Sequence, residues 1–131
     1  MSDPRWVSMR AVLALHEMLI DQFGGEHGVA NLGLLESALA RPMNLYLYEN
    51  PSISKLAAAY AFGISQNHAF VDGNKRTAFV VMRVFLRKNA FDFVATEHQV
   101  VETFLALAAG ALTEDQLANW VETYAIKSFT T

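Results

Sequence analysis

The stretch NHAFVDGNKRTAF, residues 67–79, concentrates polar chemistry directly in front of an apolar segment. Between His68 and Arg76 it holds an acid, a glycine, an amide and two cations besides the histidine, although only 18% of the 131 residues are charged. The segment that follows, AFVVMRVFL, is apolar on nearly all sides, which is typical of a buried central helix. The sequence therefore predicts a polar turn that is supported by the core.

Helical signals dominate on both sides of this turn. They predict an all-α fold, a compact bundle with one buried helix at its centre, formed by a single domain over residues 1–131. The expected helix limits come from capping residues, glycines and prolines. Including caps, the helices are expected at 2 or 3 to 24, 31 to 41, 52 or 54 to 67, 74 to 89, 96 to 110, and from 113 onward.

Two stretches depart from the helical pattern. Residues 42–51, PMNLYLYENP, lie between two prolines, have no helical period and are expected to form an irregular arm. The tyrosines Tyr46 and Tyr48 either pack this arm onto the core or form a surface that meets a substrate or partner. Residues 90–95, AFDFVA, are the one strand-like stretch and are too short to found a sheet.

Composition excludes several classes of protein. The chain has no cysteine, so disulfides and thiolate metal sites are ruled out. No apolar run approaches the roughly 20 residues that span a bilayer, and residues 1–11 lack the pattern of a signal peptide, so a cytoplasmic protein with no membrane partner is expected. A net charge of −3 disfavours direct binding of nucleic acid, for which only the cluster Arg83, Arg87 and Lys88 would speak.

The start of the helix after the turn has the properties of an anion site. A helix exposes its first backbone N–H groups and the positive end of its dipole at that point. Gly73 lets a ligand approach the backbone, and Lys75 and Arg76 add positive charge beside the same N–H groups. Together these features predict a cradle for a polyphosphate.

Two further residues give this cradle a reaction. Asp72 is suited to hold Mg²⁺, which proteins bind through one or two carboxylates plus substrate phosphates. His68 is suited to accept a proton from a hydroxyl, because an ordinary imidazole has a pKa of about 6.5. The set predicts transfer of a phosphorus-containing group from a nucleotide to a hydroxyl.

Each of these residues also has a structural interpretation. His68 could cap the preceding helix, Asp72 or Asn74 could be a plain N-cap, and the two cations could be solvated residues of a first turn. The spacing of the whole set favours the functional site. No zinc-binding or Walker-type pattern competes with it.

The motif HAFVDGNKR resembles the signature loop of the Fic/Doc superfamily, whose common form reads His-Pro-Phe-x-Asp/Glu-Gly-Asn-Gly-Arg. Ala69 stands in place of the proline, and Lys75 stands in place of the second glycine. A lysine there is typical of the Doc branch, the death-on-curing toxins. Residues 15–42 are also similar to the N-terminal region of Doc-like proteins, so the resemblance covers nearly the whole chain and implies the Fic fold.

The resemblance implies roles for six residues. His68 is similar to the family's general base, and Asp72 to the acidic residue that binds Mg²⁺ or serves catalysis. The nucleotide- and phosphate-binding positions correspond to Gly73 and Asn74 for the anion hole, and to Lys75 and Arg76 for the phosphates of ATP. The implied cofactors are ATP and Mg²⁺.

The lysine also bears on the reaction that the resemblance implies. Fic enzymes usually transfer AMP, whereas Doc-like toxins transfer the γ-phosphate of ATP to a threonine of elongation factor Tu and stop translation. A glycine at position 75 would leave room for a phosphate against the backbone, while Lys75 fills that room and adds a charge. The expected activity is therefore that of a protein kinase toxin, with protein AMP transfer and a catalytically inactive binding module as alternatives.

A separate antitoxin is the implied partner, with its C-terminal segment in a groove of the bundle. Many Fic proteins carry an inhibitory helix marked Ser/Thr-x-x-x-Glu-Gly/Asn. Glu49 is the one glutamate followed by Gly or Asn, and Leu45 stands four residues before it, so this marker is absent. We expect the region of Tyr46 and Tyr48 to border the surface that meets the substrate or the antitoxin.

Overall fold

The computed structural model of the chain describes residues 3–128, which form six helices and one small sheet. The elements, in chain order, are α1 (Met9–Phe23), α2 (Leu32–Tyr48), α3 (Ile53–Asn67), α4 (Asn74–Lys88), β1 (Phe91–Phe93), α5 (Glu97–Ala108), α6 (Glu114–Tyr124) and β2 (Ala125–Lys127). The predicted mostly helical fold is confirmed. In the described part of the chain, no helix combines the length and apolar character needed to cross a bilayer.

Capping side chains begin four of these helices where the sequence predicts them. Asn31 accepts a hydrogen bond from the N–H of Leu34, and Ser52 accepts one from the N–H of Lys55. Reciprocal capping boxes form at the starts of α5 and α6, through the pairs Thr96/Gln99 and Thr113/Gln116. Local chemistry thus sets these boundaries independently of the tertiary fold.

The predicted start of the first helix is wrong. Helix α1 begins at Met9, and its N-cap is Ser8, whose hydroxyl accepts a hydrogen bond from the N–H of Ala11. Asp3 instead accepts a hydrogen bond from the hydroxyl of Tyr46, and Ser2 lies outside the described residues. Tertiary contacts explain the difference, because Val7 is buried on the core before the helix starts.

The predicted irregular arm at residues 42–51 is also wrong, because α2 continues through Pro42 to Tyr48. A proline in a helix removes the hydrogen bond to the carbonyl four residues earlier, here that of Ala38. Helix α3 places Gly63 against this carbonyl: a Cβ on Gly63 would lie 3.1 Å from the Ala38 oxygen. Close packing of α2 on α3 thus holds the helix together across the proline.

The two tyrosines of this segment have different environments. Tyr46 is partly buried, and its ring meets that of Trp6 edge-on at 5.7 Å between centroids. Tyr48 is 86% exposed at the end of α2. Packing of Tyr46 on the core agrees with the first interpretation of these aromatics, although they lie on a helix and not in a loop.

The buried centre of the bundle is α3, and the prediction that the helix after the turn occupies this place is wrong. Ten of the 15 residues of α3 are buried, and it packs against α2, α4, α5 and α6. Its many small side chains, Ala57 to Ala59 among them, let neighbours approach from every side. Helix α4 keeps an exposed stripe that contains Arg83 and Arg87.

The strand-like stretch forms the predicted strand, β1, but the expectation that it is too short to found a sheet is wrong, because it pairs antiparallel with β2 in a sheet of two strands. Phe91 lies opposite Lys127, and Phe93 lies opposite Ala125. Strand β2 was not predicted, because its three residues continue directly from α6. The sheet closes the end of the bundle where α4 ends.

Tyr60 ties the N-terminal segment to the central helix, and its loss should reduce stability. Its buried hydroxyl accepts a hydrogen bond of 3.0 Å from the N–H of Val7. We expect Tyr60→Phe to lower the free energy of unfolding by about 1–2 kcal/mol, because the Val7 N–H would be left buried without an acceptor. Chemical denaturation measures this, and Tyr48→Phe at the exposed end of α2 is the matched control. An equal effect of both variants would contradict the assignment.

Candidate functional site

The polar turn predicted from the sequence connects the central helix α3 to α4. His68 ends α3 in the left-handed conformation, with φ 49° and ψ 45°, which few residues other than glycine adopt. Ala69 and Phe70 then enter the core, where both side chains are buried. Gly73, also left-handed with φ 75°, precedes the first residue of α4. Two rigid helices and a buried anchor therefore fix the turn at both ends and in its middle.

The side chain of Asn74 closes this turn. Its Oδ1 accepts a hydrogen bond of 3.1 Å from the N–H of Phe70, and its Nδ2 donates one of 2.9 Å to the carbonyl of Phe70. Each polar atom of this amide already bonds to the turn, whereas the backbone N–H of Asn74 has no acceptor among the described residues. Asn74 therefore holds the shape of the turn.

The N-terminus of α4 carries unused hydrogen-bond donors. Gly73 has no capping side chain, and the first bond of the helix runs from the N–H of Thr77 to the carbonyl of Gly73. Within residues 3–128, the N–H groups of Asn74, Lys75 and Arg76 have no acceptor. These donors lie at the positive end of the helix dipole, so the turn offers an anion site of the predicted kind.

Two cations stand at the same helix end. Lys75 and Arg76 are exposed and form no ion pair with any residue of the described chain. The guanidinium of Arg76 lies over the ring of Phe23 in α1, 4.2 Å from its centroid. Cations at the start of a helix oppose its dipole, so their presence here, unneutralised, attracts an anion.

Asp72 presents an oriented carboxylate beside this anion site. Its Oδ1 accepts a hydrogen bond of 2.9 Å from the N–H of Gly73, and its Oδ2 accepts one of 3.1 Å from the N–H of Glu26. The carboxylate is exposed, and no cation of residues 3–128 pairs with it. Each oxygen keeps a second lone pair for a ligand.

These properties fit a magnesium ion that is bound together with phosphate. The described residues bring together no group of three or more histidine or carboxylate side chains that could hold a metal without help. Magnesium does not require such a group, because one carboxylate, substrate phosphates and waters can complete its octahedron. Asp72 is the residue of the turn that would contribute the carboxylate.

His68 lies at the other end of the turn from Asp72. Its side chain is exposed and makes no hydrogen bond or ion pair within the part of the chain that the structure describes. It therefore does not cap the last carbonyls of α3 with its ring. Asp72 and Asn74 likewise do not act as the N-cap of α4, a position that Gly73 occupies. The structure therefore does not use the side chains of His68, Asp72 and Asn74 as the helix caps that the sequence also allowed.

The loop between α1 and α2 forms the second wall of the site, which the sequence did not reveal. Val29 and Phe70 form an isolated β-bridge, and the N–H of Val71 donates to the carbonyl of Gly28 at 3.1 Å. The N–H of Glu26 holds Asp72 from the same loop. Three glycines in this loop, Gly24, Gly25 and Gly28, have positive φ and were the available signal.

His16 was also not predicted from the sequence, because its partner is distant in the chain. It lies 56 residues before Asp72 in the chain, yet its Nε2 is 2.8 Å from the carbonyl oxygen of Asp72. Its ring is buried and stacks on Phe70 at 3.8 Å between centroids. A histidine on the apolar face of α1, four residues after Val12, was the signal in the sequence.

The chain is similar in sequence to known proteins of one family. Residues 6–86 match the sequence model of the Fic/DOC family, a span that contains α1 to α4 almost entire. The chain is similar to the protein kinase doc of Escherichia phage P1, with 28% identity over 116 residues, which cover 88% of this chain and 91% of that protein. It is also similar to the toxin Doc of Mycolicibacterium smegmatis, with 43% identity over 75 residues, which cover 56% of this chain and 58% of that toxin.

The contact between Gly25 and Asp72 can be tested directly. A Cβ on Gly25 would lie 2.7 Å from Oδ2 of Asp72, whereas a Cβ on Gly24 would meet nothing within 4 Å. Both glycines have positive φ, so alanine at either position should cost about 1–3 kcal/mol of backbone strain. We expect Gly25→Ala to lose about 1–3 kcal/mol more than Gly24→Ala, because the carboxylate must move.

Urea denaturation gives the two stabilities, and the amide chemical shift of Glu26 reports whether its hydrogen bond to Asp72 survives. Gly24→Ala is the matched control, since it shares the strain and lacks the clash. Equal losses of stability with an unchanged Glu26 shift would show that Asp72 is not held against this loop.

Proposed function

The chain belongs to the Fic/DOC family, and from that premise we propose that it is the toxin of a toxin–antitoxin pair. Its proposed activity is transfer of the γ-phosphate of ATP to a serine or threonine hydroxyl of a translation factor similar to elongation factor Tu, which would inhibit translation. The observation that carries the proposal is the start of α4, where three N–H groups and two cations that have no partner within residues 3–128 adjoin an oriented carboxylate.

The phosphates of ATP are the proposed ligand of this helix end. The N–H groups of Asn74, Lys75 and Arg76 would donate to phosphate oxygens, and Gly73 leaves the backbone open to their approach. The planar fork of Arg76 suits two phosphate oxygens at once, while Lys75 supplies a compact charge. Such binding would neutralise the cations that the free protein leaves unpaired.

His68 is the proposed general base. It would accept the proton of the substrate hydroxyl on an imidazole nitrogen while the hydroxyl oxygen forms a bond to the γ-phosphorus. The bond from the γ-phosphorus to the oxygen that bridges it to the β-phosphate breaks, and ADP leaves with that oxygen. The exposed ring of His68, which bonds to no other described residue, is free to meet a substrate.

Asp72 is the proposed ligand of Mg²⁺. When bound, the ion would neutralise phosphate charge and help to align the phosphates for displacement. The hydrogen bonds from Gly73 and Glu26 hold the carboxylate in one orientation, so little order would be lost when it binds. The chain thus preorganises the one protein ligand that the site offers.

The choice of the γ-phosphate rests on Lys75. At the second residue of α4 its side chain occupies space that a glycine would leave for a phosphate against the backbone, which favours the orientation of ATP that places the γ-phosphate at the hydroxyl. The name of the phage relative, a protein kinase, supports this choice. Transfer of AMP to a protein hydroxyl is the alternative activity of the same site. The motif departs from the common Fic form at two positions, Ala69 and Lys75.

A separate antitoxin is the proposed partner, with its C-terminal segment lying in a groove of the bundle. The name of the relative from Mycolicibacterium, Toxin Doc, supports the toxin half of such a pair. Glu49, the glutamate nearest in pattern to an inhibitory one, forms an ion pair of 2.8 Å with Lys55. That pair gives Glu49 a local role at the end of α2.

Labelled ATP tests the proposed activity. We expect elongation factor Tu incubated with this protein and Mg-ATP to gain label from the γ-position and the mass of one phosphate. His68→Ala should slow the transfer by roughly 10²–10⁴-fold, the usual contribution of a general base. Label from the α-position with the mass of AMP would select the alternative activity, and growth arrest undiminished in His68→Ala would indicate a binding module instead of an enzyme.

A glycine at position 75 tests the basis for the γ-phosphate. We expect Lys75→Gly to lower γ-phosphate transfer by roughly ten- to a hundredfold, as loss of one charge-assisted contact would, and to raise the fraction of AMP transfer. Lys88→Gly, the same change at the other end of α4, is the control and should leave both activities unchanged. Equal effects of the two variants would contradict a specific role of Lys75.

A further inference from the structure

His16 is a buried histidine that no step of the proposed reaction uses. It lies in α1 and is only 4% exposed. Its Nε2 is 2.8 Å from the carbonyl oxygen of Asp72, and because a carbonyl can only accept, Nε2 is the donor. The ring also stacks almost parallel on Phe70, with 10° between the planes. One side chain therefore contacts the turn at its buried anchor and at Asp72, two residues before the start of α4.

The carbonyl that His16 holds is the one that could lengthen α4. In an α-helix each N–H donates to the carbonyl four residues earlier, so the Asp72 carbonyl is the natural acceptor for the N–H of Arg76. In the structure the helix ladder begins one residue later, with Thr77 donating to Gly73. A helix that began one residue earlier would consume the N–H of Arg76 and remove it from the anion site.

The backbone conformation of Gly73 is also incompatible with an earlier start of α4. Its φ of 75° and ψ of 20° are left-handed, whereas a backward extension of α4 would require right-handed angles there. A Cβ on Gly73 would lie 3.0 Å from Cδ1 of Ile20 and 3.8 Å from Nε2 of His16, so this residue rests directly on α1. Helix α1 thus determines where the carbonyl before Gly73 points.

We propose that His16 is a positioning residue of the phosphate site. By drawing the carbonyl of Asp72 toward α1, it fixes the start of α4 at Asn74 and keeps the N–H of Arg76 available to a phosphate oxygen. The proposal rests on the proposed function, since it names a determinant of the same site. It assigns to His16 no contact with the substrate and no transfer of a proton.

Two substitutions separate the two contacts of His16. His16→Phe keeps a flat ring against Phe70 and removes the donor, while His16→Gln keeps an N–H donor at a similar reach and removes the stacked ring. Thr113→Ala is the stability control, because it removes the N-cap of α6 and touches no residue of the turn. The measurements are amide hydrogen exchange of Arg76 without nucleotide, and kcat and KM for ATP in the phosphate-transfer assay.

We expect the amide of Arg76 to exchange rapidly in the parent and to become protected in His16→Phe, where it gains the Asp72 carbonyl. In that variant kcat/KM for ATP should fall roughly tenfold, the effect of losing one ordinary hydrogen bond. His16→Gln should restore most of both properties, and Thr113→Ala should change neither. Parent-like exchange and kinetics in His16→Phe would overturn the proposal, as would losses in both His16 variants that merely follow their stability.

The parent protein provides a test that needs no variant to fold. The imidazole nitrogen shifts of His16 should show a hydrogen on Nε2, and the Arg76 amide should exchange as an unbonded one. A hydrogen on Nδ1 and none on Nε2 would overturn the proposal, and so would slow exchange of the Arg76 amide. Because exchange is measured without nucleotide, it decides the role of His16 even if the parent transfers nothing from ATP, a result that would end the proposed function alone.

Discussion

The double hydrogen bond between the side chain of Asn74 and the backbone of Phe70 is the constraint on which the site depends. It joins the first residue of α4 to the buried anchor of the turn, so the start of the helix cannot move without withdrawing Phe70 from the core. Phe70 is 2% exposed, and burial of a phenylalanine side chain contributes about 1.5–3 kcal/mol. The core energy of the bundle thus opposes displacement of the residues that carry the chemistry.

This rigidity allows the protein to hold an electrostatically unfavourable arrangement. Two cations at the positive end of a helix each cost about 0.3–1 kcal/mol near the surface, and neither Lys75 nor Arg76 is neutralised by a described residue. Packing of Arg76 on Phe23 offsets part of this cost, since a cation over an aromatic ring is favourable. A bound polyphosphate would remove the repulsion and satisfy together the N–H groups that have no acceptor in the described chain, so the arrangement would favour anions of high charge.

The sequence predicted the parts of this protein that depend on nearby residues. Capping side chains such as Thr96 and Thr113 act over three residues, so the starts of α5 and α6 could be placed. The polar turn could be placed because its donors, its glycine and its cations are consecutive. Pro42 led to a wrong prediction of the end of α2. The helix continues past this proline because Ala38 packs on Gly63, 25 residues later in the chain, and rules based on neighbouring residues do not include such a contact. The central position was assigned to α4 because of its long apolar run. It belongs to α3, whose small side chains let other helices pack on all its sides.

The supports of the site come from α1 and the loop after it, which are distant in sequence from the turn. His16 holds the carbonyl of Asp72, Glu26 holds its carboxylate, and Phe23 lies under Arg76. A residue that binds substrate can be inferred from the chemistry of its own side chain. A residue that orients such a side chain is recognised only from the contact between the two in the folded structure. The span that matches the Fic/DOC family, residues 6–86, contains both the turn and these supports. The candidate site is therefore built by α1 to α4, in which the turn before α4 supplies the polar groups and α1 with the loop after it sets their direction.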